Sequence, residues 1–66
     1  MTFEEFEKIL GEKRYGIIAM NHYSLHGKRY TYCVVLGNNK QRAIQAEGED
    51  SQTVFQTIYK KILETE

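Results

Sequence analysis

The chain has 66 residues, with nine basic and nine acidic side chains, no proline, no tryptophan and one cysteine. One domain spanning 1–66 is all that such a length allows; it buries only about 60% of the surface its unfolded form exposes, and a lone Cys33 rules out an internal disulfide as support. No apolar run reaches the roughly 18 residues of a membrane span and no basic segment leads into an apolar one, so the expectation is a reduced, cytoplasmic chain with no membrane partner.

Zero net charge hides a segregation. From Lys13 to Ala46 there is no Asp or Glu but six basic residues, Lys13, Arg14, Lys28, Arg29, Lys40 and Arg42, while both flanks are acidic. A basic block of this kind can be a footprint for phosphate, to the extent that the flanking acids leave it uncancelled.

In chain order, Thr2-x-x-Glu5 is a capping-box pattern, and Phe3, Phe6, Ile9 and Leu10 share one face at helical spacing, with Gly11 as the expected stop. Arg14–His22 and Arg29–Leu36 read as strands, joined by a loop containing Ser24, His26 and Gly27. Gly37-Asn38-Asn39-Lys40 supplies turn chemistry before a third strand at Gln41–Glu47. From Asp50 or Ser51 a second helix is expected to run to about Glu64, with Val54, Phe55, Ile58, Ile62 and Leu63 on its apolar side. The expected fold is α+β: αβββα, a three-stranded antiparallel sheet with two helices on one face.

This order, and the residues from His26 onward, resemble the double-stranded RNA-binding domain. The resemblance rests on His26 followed by Tyr30, on Ala46-Glu47-Gly48 where that family has Gly-x-Gly, and on Leu63 where its second helix ends in Ala-Leu. Two family elements are missing: the Gly-Pro before the loop histidine, and the Lys-Lys-x-Ala-Lys that opens the second helix, replaced here by Ser51-Gln52-Thr53-Val54-Phe55. The resemblance implies contact with a duplex through the first helix and the His22–Arg29 loop, with His22, His26, Lys28 and Arg29 as candidate nucleic-acid residues. The lost lysines, together with Glu47, Glu49 and Asp50 beside the same helix start, imply weak binding at best. A solvated hairpin tip explains the same loop residues.

His22, His26 and Cys33 lack the paired spacing of a metal site, and nothing supplies a base, an orienting acid and an oxyanion site around Cys33. No catalytic residue, metal or cofactor is therefore expected. The second strand offers more, because it does not alternate cleanly between apolar and polar. If Tyr30, Tyr32, Val34 and Leu36 face the helices, as the family pattern implies, then Thr31, Cys33 and Val35 face outward. The first strand likewise carries Ile17 and Ala19 on one parity and Ile18 and Met20 on the other. The outer face would then be partly apolar, and the candidate interface is Ile18, Met20, Thr31, Cys33 and Val35, joined by Phe55 unless that ring wraps onto the core. The leading expectation is a non-catalytic binding module that associates with itself or another protein. Weak, sequence-independent binding of double-stranded RNA is the alternative, and nucleic acid on the outer sheet, with Lys40 and Arg42, is a third reading.

Overall fold

The computed structural model describes residues 1–38 and 43–65. Its order is α1 (Phe3–Glu12), β1 (Tyr15–Leu25), β2 (Lys28–Gly37), β3 (Ala43–Gly48) and α2 (Ser51–Thr65), with an antiparallel sheet in the order β1-β2-β3. The αβββα expectation holds. Asn39, Lys40, Gln41 and Arg42, which complete the expected turn and begin the expected third strand, lie outside the described residues.

The capping box forms as read. The Thr2 hydroxyl accepts from the Glu5 amide at 3.2 Å, and the Thr2 amide donates to the Glu5 carboxylate at 3.4 Å. The helix does not stop at Gly11 but runs to Glu12, and the chain turns out at Arg14, held at φ 63 in the left-handed region. The Arg14 carbonyl then accepts from the Asn38 amide at 3.0 Å, tying the helix exit to the far end of β2. At α2, Asp50 is the cap: its carboxylate accepts from the Gln52 amide at 3.1 Å and from the Thr53 hydroxyl at 3.4 Å.

The first hairpin is longer and tighter than the expected strand ending at His22. β1 continues to Leu25, and only His26 and Gly27 form the turn, at φ 54 and φ 79. Positive φ at both central positions is the type I′ geometry, which matches the twist of a two-residue hairpin. Stacked rings of Tyr23 and Tyr30, with centroids 5.4 Å apart, extend the pairing to the tip.

Both helices lie on one side of the sheet. Phe6, Leu10, Tyr15, Cys33, Val35, Val54, Phe55, Ile58 and Ile62 form one buried cluster, with Ile17, Met20, Ile44 and Ala46 packed against it. Phe55 stacks on Phe6 at 4.5 Å, so it wraps onto the core and is no surface anchor. Phe3 stays 41% exposed at the rim of that stack, and Leu63 is 47% exposed, outside the apolar side of α2.

The parity of β2 is the reverse of the expectation. Thr31, Cys33 and Val35 point at the helices, all at 4% exposure or less, and Tyr30, Tyr32, Val34 and Leu36 take the outer face. β3 sets the same parity, because Ile44 pairs with Val35 and Ala46 with Cys33. In β1 the mixed pattern has another cause. The register slips between Ile17 and Ala19, so Ile17 pairs with Val35 and Met20 with Cys33, and both reach the core from opposite sequence parities. Of the candidate interface residues, Met20, Thr31, Cys33, Val35 and Phe55 are thus core or core-packed, and Ile18, at the bulge, is the one exposed, at 59%.

Candidate functional site

Three surfaces carry the remaining polar and aromatic groups. At the hairpin tip, His22, His26, Lys28 and Arg29 are all exposed. They do not form one patch of free positive charge. His22 Nδ1 lies 3.0 Å from the Thr31 hydroxyl in a hydrogen bond, and Lys28 pairs with Glu49 at 3.5 Å. His26 sits at the turn itself, with its backbone at φ 54. The Lys28–Glu49 pair is open to water and contributes little stability, but it offsets a charge a phosphate would need.

An open cleft of about 500 Å³ lies between this hairpin and the start of α2, with His22, Ser24 and Arg29 on one wall and Glu49, Asp50 and Ser51 on the other. A second groove of about 380 Å³ shares His22 and Ser51 and runs toward Met1, Phe3 and Phe55. The start of α1, the hairpin and the start of α2 therefore do converge. The acids change what that convergence can bind: the Asp50 carboxylate already accepts the Gln52 amide that would otherwise face an anion at a helix N-terminus.

The third surface is the outer face of the sheet. Tyr23 donates a 2.7 Å hydrogen bond across the sheet to the Glu47 carboxylate, and Tyr32 donates another of 2.7 Å to Gln45 Oε1. Accepting that bond, Glu47 pushes the Tyr23 phenol above its usual range, with smaller contributions in the same direction from desolvation and from the negative charges nearby. Ile18, Tyr23 and Leu25 are the large apolar side chains left most open along β1. None of Tyr23, Tyr30, Tyr32, Gln45 or Glu47 stood among the candidate residues of the sequence reading. The usable signal was the run Ile44, Ala46 against Gln45, Glu47, which fixes the inner parity of β3 and, through pairing, that of β2.

Cys33 is fully buried, and burial pushes its thiol pKa up, away from the thiolate a nucleophile needs. Among the described residues no group of three or more His, Cys, Asp or Glu side chains lies close enough to hold a metal ion, and no helix is long and apolar enough to cross a membrane. No protein-family model, curated protein or solved structure matches the chain.

Proposed function

We propose that this chain is a non-catalytic binding module that acts by protein–protein association, most simply with a second copy of itself. One observation carries the reading: both helices cover the same side of a three-stranded sheet, leaving Tyr23, Tyr30, Tyr32 and Leu36 on an uncovered side with Leu25 at its tip. Tyrosine presents apolar area with a polar end at low entropic cost, a composition typical of contact surfaces. The small core adds a reason, since association would bury area that the monomer cannot. Sedimentation equilibrium up to several hundred micromolar tests it: mass should rise with concentration, and a strictly monomeric protein refutes self-association.

The convergence of α1, the hairpin and α2 around His22 favours a second reading, weak binding of double-stranded RNA along that groove. Glu49 and Asp50 in the same groove oppose it. A duplex titration at two salt concentrations separates the readings, because phosphate contacts produce a salt slope and protein association of this kind does not.

A further inference from the structure

The two edges of the sheet differ in a way that selects one of them for pairing. Within its described residues β3 carries Glu47 and has its Gln45 carbonyl engaged by the Lys61 ammonium of α2 at 2.8 Å. β1 is an 11-residue edge with no Lys, Arg, Asp or Glu anywhere along it, and among the described residues its second side pairs with no strand. Short length, charge and capping are the ordinary means of keeping an edge from pairing, and β1 has only its bulge. That bulge, at Ile18, leaves Ala19 to Leu25 as the regular open stretch.

The register says which main-chain groups are free there. A two-residue type I′ turn makes Leu25 and Lys28 a hydrogen-bonded pair, and alternation along the hairpin makes Tyr23–Tyr30 and Asn21–Tyr32 the next ones. The N–H and C=O groups of Met20, His22 and Ser24 therefore point away from β2, at the open edge.

We infer that β1 pairs antiparallel with β1 of a second copy about a two-fold axis at His22, joining two sheets into one of six strands. This rests on the self-association reading and places the contact at the sheet's open edge rather than on its uncovered face. The free groups are spaced symmetrically about His22, so His22 opposes His22 of the second copy and Met20 opposes Ser24, giving about six new main-chain hydrogen bonds at two per pair. On the outer face Leu25 is brought beside Ala19 and Tyr23 beside Asn21, which covers two of the exposed side chains of the monomer. The absence of charged residues on β1 means that two copies meet without like-charge repulsion, and a two-fold contact closes at the dimer.

The test combines mass with amide exchange on the intact chain. Between low micromolar and high micromolar protein the mass should double, and the amides of Met20, His22 and Ser24 should slow by about tenfold once about nine-tenths of the chain is dimeric. His22→Pro removes the edge donor at the axis without removing a β1–β2 ladder bond and should be monomeric at the higher concentration. A dimer whose Met20, His22 and Ser24 amides stay fast overturns the edge and leaves association through the sheet face standing. A chain that stays monomeric overturns both, and leaves the edge to an extended segment of another protein. If His22→Pro does not fold, the wild-type amides decide the question alone.

Discussion

The Tyr23 hydroxyl and the Glu47 carboxylate, 24 residues apart, meet at 2.7 Å on the outer face, spanning from one edge strand to the other over the central one. Because the hydrogen bond favours the protonated phenol, the folded-state pKa of Tyr23 lies above its ordinary 10.0. The stability this bond contributes is therefore present below pH 10 and is lost as pH rises through the raised folded value. Ultraviolet titration of the wild type and of Glu47→Gln should differ by a Tyr23 ionisation that moves to lower pH in the variant, back toward the ordinary range. An unchanged titration curve in that variant would break the assignment.

Adjacent positions of β2 test the parity. Val35 is fully buried against both helices while Leu36 lies half-exposed on the outer face. Val35→Lys places an unpaired charge in the core and should leave the protein unfolded, whereas Leu36→Lys should keep the native circular dichroism spectrum with a loss of no more than about 1–2 kcal/mol. If Val35→Lys folds and Leu36→Lys does not, the sheet is inverted relative to the structure.

The elements themselves were legible because each is set by local chemistry: Thr2 and Glu5 for the first cap, Asp50 for the second, and Phe6, Leu10, Ile58 and Ile62 at helical spacing. Which side of the sheet they cover was not. A one-residue insertion in β1 makes Ile17 and Met20 look like opposite faces when both point inward, and tyrosine's dual character lets β2 read plausibly either way. The same ambiguity misplaced most of the candidate interface residues. The hairpin tip was found in outline, but the ion pair between Lys28 and Glu49 depends on β3 and α2 returning beside it, which no local pattern encodes.

Arg14 is a position where the sequence departs from the local optimum. A non-glycine residue at φ 63 costs about 1–2 kcal/mol, and replacement by glycine gives back about 0.4–1 kcal/mol through the more flexible unfolded chain. Arg14→Gly should therefore stabilise the fold by about 0.5–1 kcal/mol, visible as a rise in melting temperature of about 2–8 °C for a domain of this size. Arg14→Val, β-branched at the same φ, should lower it. A lower melting temperature for Arg14→Gly would mean that the arginine side chain contributes more than its backbone strain costs.

The duplex-RNA reading makes its own demand on the start of α2. Phe55 cannot be changed to lysine there without loss of the fold, because it is 3% exposed and stacked on Phe6. Gln52 and Glu49 are exposed, and Ser51 borders both grooves. Wild-type protein should bind a short RNA duplex weakly, with a shallow salt slope. Glu49→Gln frees Lys28 from its ion pair, and adding Ser51→Lys and Gln52→Lys supplies two more cations beside His22 and Arg29. The triple variant should bind more tightly and with a steeper log–log salt slope, each new phosphate contact adding about 0.7–0.9 to it. Arg29→Ala in that background should take back about one contact's worth. If the triple variant gains no affinity, the groove around His22 is the wrong surface for a duplex, and the roles left to the acids are those the structure gives them, Asp50 capping α2 and Glu49 pairing with Lys28.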